Sequence, residues 1–149
     1  MKTSPTKIPV AVIVVTKNEE ACLEKCLEGL SNFEKVYVVD SLSTDGTLKI
    51  ARRFPNVETL SFQWNGKYPK KRQWCLENLD IAQEWIFFVD ADEEVTPALE
   101  KEILETTASA PDFVGGYFIA FDYYFLGRRL RYGNPSLKLV LLRKGRGTF

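Results

Sequence analysis

The fold is decided by one stretch, Glu84-Trp85-Ile86-Phe87-Phe88-Val89-Asp90-Ala91-Asp92-Glu93-Glu94. Its apolar part, Ile86 to Val89, is short and β-prone, which predicts a buried strand. Asp90 and Asp92 follow directly, and in open α/β sheets ligands bind beyond the carboxyl ends of the strands. Two adjacent carboxylates repel each other unless a cation neutralises them, and Mg²⁺ favours one or two carboxylates together with substrate phosphates. The stretch therefore raises the hypothesis of a divalent metal and a phosphorylated substrate.

Strand and helix patterns alternate around this stretch. Apolar runs predict further buried strands at Val10 to Val15, Lys35 to Asp40 and Val57 to Phe62. With helical patterns between them, the order βαβαβαβ implies an α/β fold, with a mainly parallel sheet flanked by helices. Two more strands, Gly115 to Phe125 and Leu137 to Leu142, follow without a helix between them and predict a short antiparallel extension.

The bulk composition is that of one ordinary globular domain. The chain has 149 residues, of which 45% are hydrophobic and 27% charged. Its formal net charge is zero, so we expect no nucleic-acid partner. Three cysteines, an odd number in a chain without a secretory signal, indicate reduced thiols in a cytoplasmic protein. No apolar run is long enough to cross a bilayer, and the absence of histidine removes Ser-His and Cys-His catalytic schemes.

Charge is nevertheless distributed unevenly, because no acid follows Asp122. Seven cations lie beyond it: Arg128, Arg129, Arg131, Lys138, Arg143, Lys144 and Arg146. This basic segment is either plain surface or a site of attraction for a diphosphate, an anionic glycolipid or the inner face of a membrane. In the second interpretation, Arg143 is the best candidate for contacting a diphosphate.

Polar residues end three of the predicted strands. Asp40 ends one, Asp90 and Asp92 follow another, and the first runs into residues 16–19. The carboxyl ends of parallel strands lie at one edge of the sheet, so these side chains should line one cleft. Asn18 is expected to cap the helix that follows it.

A basic cluster, Lys70, Lys71 and Arg72, begins the helix after Pro69 and should enter the same edge. Backbone N–H groups at a helix N-terminus favour anions, and cationic side chains add to this attraction. A metal site beside an anion site suits a nucleoside diphosphate. The alternative is a solvated helix face, with Lys71 the member expected to contribute least.

Three segments together resemble family-2 glycosyltransferases of the GT-A fold, and most of all the branch that contains lipopolysaccharide-core glucosyltransferases. They are residues 14–20 (VVTKNEE), 38–47 (VVDSLSTDGT) and 88–93 (FVDADE). Each motif alone is weak, whereas three in this order and at these spacings are specific. The resemblance covers nearly the whole chain and implies a Rossmann-like GT-A domain over residues 1–149.

The resemblance implies a nucleotide-binding role for several positions. Thr16 and Glu19 match residues that contact the nucleoside, and Asp40 matches the acid that reads the base or ribose. Lys70 and Arg72 match basic positions near the nucleotide.

Asp90 and Asp92 match the Asp-x-Asp motif, which holds the ribose and a divalent metal, Mg²⁺ or Mn²⁺, on the diphosphate. The implied reaction transfers a sugar, with inversion, from a nucleotide-sugar, most simply a UDP-sugar, to a glycan or glycolipid of the cell envelope.

Two departures from the family pattern bear on activity. Leu42 replaces a glycine, which makes the loop after Asp40 less permissive. Inverting transfer also needs a general base, which in related proteins lies beyond the Arg-rich strand, where this sequence ends. The expectation is therefore an incomplete catalytic domain. Asp122, the last acid, is the candidate base, with Glu93 and Glu94 as alternatives that would serve equally as helix-cap residues.

Two other functions fit parts of the pattern. Phosphohydrolases of the haloacid-dehalogenase kind also place Asp-x-Asp after an apolar strand, but at their first strand and without the Glu94 found here. A nucleotide-binding module without transfer activity is the second alternative, since the segment that would carry the base is missing from this sequence.

Overall fold

A computed structural model describes residues 6–134 and 136–149. Six strands form one sheet in the order β3-β2-β1-β4-β8-β5, and β6 and β7 form a separate two-stranded hairpin. The strands are β1 (Ile8–Thr16), β2 (Phe33–Asp40), β3 (Val57–Ser61), β4 (Trp85–Asp90), β5 (Gly116–Phe121), β6 (Tyr124–Phe125), β7 (Arg128–Arg129) and β8 (Ser136–Arg143).

Four helices connect or flank the strands. They are α1 (Leu23–Glu28), α2 (Thr47–Ala51), α3 (Lys71–Asn78) and α4 (Pro97–Ser109). Thr96 caps α4 by accepting the Leu99 N–H, and Pro97 occupies the first turn, where its missing N–H costs nothing. Within the described part of the chain, none of these helices has the length and hydrophobicity that crossing a membrane requires.

The sheet confirms the fold class expected from the sequence. β1 pairs in parallel with β2 and β4, and β2 pairs in parallel with β3. β8 then runs antiparallel between β4 and β5, which is the expected extension. β1 is the most buried strand, with Val10 to Val14 fully inaccessible, because helices cover both faces of a central strand.

Two local expectations were wrong. Asn18 does not cap a helix: its φ is +52° and α1 begins only at Leu23, after a turn in which the Cys22 and Leu23 N–H groups both donate to the Glu19 carbonyl. The predicted strand Gly115 to Phe125 is broken after Phe121, because the chain leaves the sheet there to form the β6–β7 hairpin.

The prediction that Arg143 contacts a diphosphate is also wrong. Arg143 pairs with Trp85 at the start of β4, whereas Asp90 ends that strand, so the two lie at opposite edges of the sheet. Its guanidinium carbon lies 4.6 Å from the Trp85 ring centre. The guanidinium also donates, over 2.8–3.3 Å, to the carbonyls of Ala110, Pro111, Asp112 and Val114. Arg143 therefore anchors the connection from α4 to β5.

We expect Arg143→Met to lower the free energy of unfolding by about 2–3 kcal/mol, since hydrogen bonds to charged groups contribute ~1.5–3 kcal/mol. Urea denaturation measures this change. Arg146→Met is the control, because exposed Arg146 makes one 3.3 Å contact with the Asp112 carbonyl. An Arg143→Met protein of unchanged stability but weakened nucleotide binding would restore the original assignment.

Candidate nucleotide and metal site

The strand ends meet at one edge because β1 is in register with both neighbours. Thr16 lies opposite Asp40 of β2, and Val15 lies opposite Asp90 of β4. Between these ends is a cleft of about 310 Å³. Its lining consists of Val15, Thr16, Lys17, Glu19, Lys71, Asp90, Ala91 and Asp92. Glu19, Asp90 and Asp92 therefore line one cleft together with Lys17 and Lys71, whereas Asp40 is buried behind Thr16 and is not part of the lining.

Asp40 is fully buried and its carboxylate accepts three hydrogen bonds. Thr16 Oγ1 donates over 2.7 Å, and Ser43 donates through its backbone N–H (2.8 Å) and its hydroxyl (2.5 Å). Burial by itself raises the pKa of Asp40. The bonds from Ser43 and Thr16, with the nearby charge of Lys71, outweigh burial, so the net pKa is lowered. Asp40 is held ionised and in a fixed orientation directly behind Thr16, which lines the cleft.

Lys71 is the main residue that sequence reasoning undervalued. Its Nζ donates to the Thr16 carbonyl (2.8 Å) and to Ser41 Oγ (2.7 Å), which ties α3 to the ends of β1 and β2. Burial lowers the pKa of Lys71 to about 8, against the opposing attraction of Asp40. Lys70, the neighbour predicted to bind nucleotide, is instead exposed at the N-cap of α3 and does not line the cleft. The two lysines are neighbours in sequence, and the direction of α3 relative to the sheet determines that Lys71, and not Lys70, contacts the ends of β1 and β2.

The loops after β1 and β2 are joined by hydrogen bonds. Lys17 Nζ donates to the Ser41 carbonyl (2.8 Å), the Asn18 N–H donates to Ser43 Oγ (2.8 Å), and the Glu19 N–H donates to Thr47 Oγ1 (2.9 Å). Asn18 Oδ1 in turn accepts the Thr44 N–H over 2.8 Å. Leu42 adopts the left-handed φ of +56° at the position where the family has glycine. The Glu19 backbone is thus fixed beside the cleft by contacts distant in sequence.

Asp90 lies within a network of alternating charges. Arg72 donates to Asp90 Oδ1 over 2.9 Å, and Lys138 Nζ lies 3.9 Å from Asp90 Oδ2. Glu93 accepts the Asp90 N–H (2.9 Å) and a 2.9 Å hydrogen bond from Lys138. Asp92 is exposed at the rim of the cleft. Two carboxylates and two cations thus meet at this end of the cleft. Among the described residues no group of three or more His, Cys, Asp or Glu side chains is arranged to hold a metal ion, so oxygens of a bound diphosphate would have to complete the ligand set.

The candidate base, Asp122, is exposed and follows β5 directly. Its carboxylate is ion-paired with Arg129 at 2.8 Å. Of the alternatives, Glu93 is engaged by Lys138 and the Asp90 N–H, while Glu94 pairs with Lys25 at 3.0 Å.

A larger hollow, of about 580 Å³, lies at the opposite edge of the sheet beside Pro9, Glu34 and Trp85. Two of its acids are paired: Glu34 accepts from Gln83 over 2.9 Å, and Glu84 pairs with Arg143 at 3.0 Å. Gln83 Oε1 and Trp85 Nε1, whose residues also line it, are buried without a hydrogen-bond partner among the described residues. The smaller cleft is the better site, because ligands of parallel α/β sheets bind at the carboxyl edge and its charged groups are concentrated there.

Comparison with known proteins identifies the family of this chain. Residues 11–146 match the model of glycosyl transferase family 2, and the chain belongs to that family. Among curated proteins it is 32% identical, over 149 residues, to the lipopolysaccharide core biosynthesis glycosyltransferase LpsC of Rhizobium meliloti. That alignment covers 96% of this chain and 54% of LpsC, so the chain spans about half the length of this relative.

Two solved structures share the architecture. The mannosyltransferase PcManGT from Pyrobaculum calidifontis, in complex with GDP-Man and Mn²⁺, superposes with a TM-score of 0.55 at 27% identity, over 74% of this chain and 34% of that one. S. aureus TarS 1-349 gives a TM-score of 0.51 at 33% identity, over 67% of this chain and 31% of that one. The fold is therefore that of the GT-A glycosyltransferases.

The lowered pKa of Lys71 has a measurable consequence for stability. Its folded-state pKa of about 8 lies below the ordinary value of 10.5, so between these pH values the unfolded chain binds more protons. Lys71 therefore makes stability rise with pH through this range. We expect Lys71→Met to remove that rise when urea unfolding at pH 7 and pH 9.5 is compared.

Lys101→Met, on the exposed face of α4, is the matched control and should follow the wild type at both pH values. A wild-type protein whose stability relative to Lys71→Met is independent of pH would contradict a lowered pKa.

Proposed function

We propose that this protein binds a nucleotide-sugar, most simply a UDP-sugar, in the cleft and transfers the sugar with inversion to a glycan or glycolipid acceptor. The proposed setting is lipopolysaccharide or related envelope polysaccharide synthesis, at the cytoplasmic face of the membrane. One observation carries the proposal: Thr16, held by the buried Asp40, and the Asp90–Asp92 pair line one cleft. LpsC supports the setting, and PcManGT, with its GDP-Man and Mn²⁺, supports the donor class.

The nucleoside end of the cleft is assigned to Thr16, Glu19 and Asp40. A carboxylate has about four acceptor positions, and Asp40 uses three of them within the protein. Because Asp40 is fully buried, we infer that it acts on the nucleoside through Thr16, whose hydroxyl it orients at the lining of the cleft. Lys71 adds a positive charge to the lining at this end of the cleft. Lys70, which is exposed outside the lining, attracts the nucleotide only by its charge at longer range.

The diphosphate end is assigned to Asp90, Asp92, Arg72 and Lys138. Asp90 and Asp92 would hold Mg²⁺ or Mn²⁺, for which two carboxylates completed by diphosphate oxygens are a suitable donor set. When bound, the metal supplies Lewis-acid stabilisation of the departing nucleoside diphosphate. Arg72 and Lys138 already neutralise Asp90, so both cations are placed to contact a diphosphate that enters beside it. Lys138, rather than Arg143, is therefore the proposed contact of β8 with the diphosphate.

Asp122 is retained as the proposed general base, accepting the proton of the acceptor hydroxyl as that oxygen attacks the anomeric carbon. Its ion pair with Arg129 opens in this step. The phosphohydrolase alternative is dropped, because the chain belongs to a different family. The alternative of a nucleotide-binding module without transfer activity is an outcome of the experiments below.

Calorimetry with UDP and GDP, each with and without Mn²⁺, tests the donor site. Asp92→Asn should weaken metal-dependent binding by about 10- to 100-fold, a loss seen even for groups that merely support metal ligands. Asp112→Asn, exposed near Arg143 at the other edge, should bind as the wild type does. Metal-independent binding, or none, would refute the assignment, whereas tight binding without transfer to any acceptor would favour the module.

Lys138→Met tests the diphosphate assignment separately. A charge-assisted hydrogen bond contributes ~1.5 kcal/mol or more, so UDP affinity should fall about tenfold while uridine affinity stays unchanged. Lys101→Met is again the control. An equal loss for uridine and UDP would mean that Lys138 only supports the loop through Glu93.

A further inference from the structure

The hairpin of residues 123–132 exposes an unusual amount of apolar surface. Its strands pair Tyr124 with Arg129 and Phe125 with Arg128, and the Leu130 N–H donates to the Tyr123 carbonyl over 2.8 Å. The exposed fractions of its large side chains are 48% for Tyr123, 66% for Tyr124 and Phe125, 88% for Leu126, 54% for Leu130 and 96% for Tyr132. Contiguous exposed apolar residues of this kind mark an interaction site.

The tip of this hairpin is the strongest indication. Leu126 and Gly127 form a two-residue turn with φ of +48° and +75°, a turn that favours Asn-Gly. Leucine is unfavourable there twice over, because its backbone is left-handed and its side chain lies in water. Because Leu126 is 88% exposed, packing within the described chain offsets neither cost, whereas a partner that covers its side chain would remove the second.

The charges of the hairpin narrow the choice of partner. Arg128 and Arg131 are exposed, and the sequence contains no acid after Asp122. Residues that pair across strands share a face, so one face carries Phe125 with Arg128 and the other Tyr124 with Arg129. Each face therefore carries one aromatic and one cationic side chain, and neither is purely apolar or purely cationic. Tyrosine and arginine side chains, with a leucine at the tip, are typical of elements that lie at a membrane–water interface.

The hairpin also leaves the sheet at the cleft edge. Phe121, the last residue of β5, has its ring 4.4 Å from Lys138 Nζ, and Lys138 contacts the Glu93 that holds Asp90. The hairpin begins two residues after Phe121. A surface touching the hairpin therefore lies beside the diphosphate end of the cleft.

We propose that the hairpin of residues 123–132 docks this protein on an anionic lipid bilayer, with Leu126 inserted and Arg128 and Arg131 on lipid headgroups. This inference deepens the proposed function, since it sets a glycolipid acceptor at the mouth of the cleft. The partner is the bilayer surface itself, and binding requires no nucleotide.

Vesicle sedimentation of the full chain tests the proposal, with phosphatidylcholine vesicles that either contain or lack phosphatidylglycerol. The wild type should bind anionic vesicles and lose binding as salt rises. Arg128→Gln/Arg131→Gln should weaken binding by about 25-fold, at about fivefold per arginine. Leu126→Asn should weaken it by about tenfold, while keeping the hairpin, because Asn tolerates the left-handed turn.

Matched controls separate the hairpin from general surface effects. Phe113→Asn removes a residue that is 84% exposed at the opposite edge, and Lys49→Gln/Arg52→Gln removes two exposed cations on and beside α2. Both should bind vesicles as the wild type does.

The proposal is overturned if the wild type ignores anionic vesicles, or if hairpin and control variants lose binding equally. It is also overturned if, without lipid, the protein self-associates through Leu126, since that would identify a second copy as the partner. The vesicle assay contains no nucleotide, and the calorimetry contains no lipid. Failure of the docking surface and failure of the donor site are therefore distinguishable.

Discussion

The site depends on the register that pairs β1 with β2 and with β4 at once. Thr16 opposite Asp40 and Val15 opposite Asp90 place the carboxyl ends of three strands at one edge. A slip of one residue in either pairing would turn every following side chain to the other face of the sheet. Both faces of these strands are packed, because Val12, Ile13, Val14, Val36, Tyr37 and Val38 are all buried. A shifted register would therefore place side chains of different size against each helix layer.

That register brings the carboxylates of Asp40 and Asp90 to the same edge, and hydrogen-bond donors and cations from other elements balance their negative charge. Asp40 is satisfied by hydrogen bonds from Thr16 and Ser43 and by the charge of Lys71. Asp90 is balanced by Arg72 and Lys138. The cations come from α3 and β8, which are distant in sequence from the acids. Such pairs neutralise the acids at this edge, and the same cations are available to an anionic ligand that brings its own metal.

β8 runs from the edge of the sheet that carries the candidate site to the opposite edge, where Arg143 is buried. At one end, Arg143 is buried and holds the connection from α4 to β5. At the other end, Lys138 reaches Glu93 and Asp90 and lies beneath the ring of Phe121, from which the chain continues into the hairpin. Arg143 and Lys138, five residues apart, therefore act differently. The guanidinium of Arg143 is hydrogen-bonded to backbone carbonyls, whereas Lys138 contacts Glu93 and Asp90 beside the cleft.

The sequence by itself determined the parallel α/β sheet, the antiparallel extension and the acids at the strand ends, because buried strands and their polar ends are local patterns. It also placed Thr16, Glu19, Asp40, Arg72, Asp90 and Asp92 at one edge, since parallel strands end together. Only the tertiary structure decided which cations belong there. Lys71 rather than Lys70 lines the cleft because of how α3 meets the sheet. Lys138 rather than Arg143 lies beside Asp90 because of the antiparallel pairing of β8 with β4. Long-range packing, which no local pattern encodes, fixes these choices.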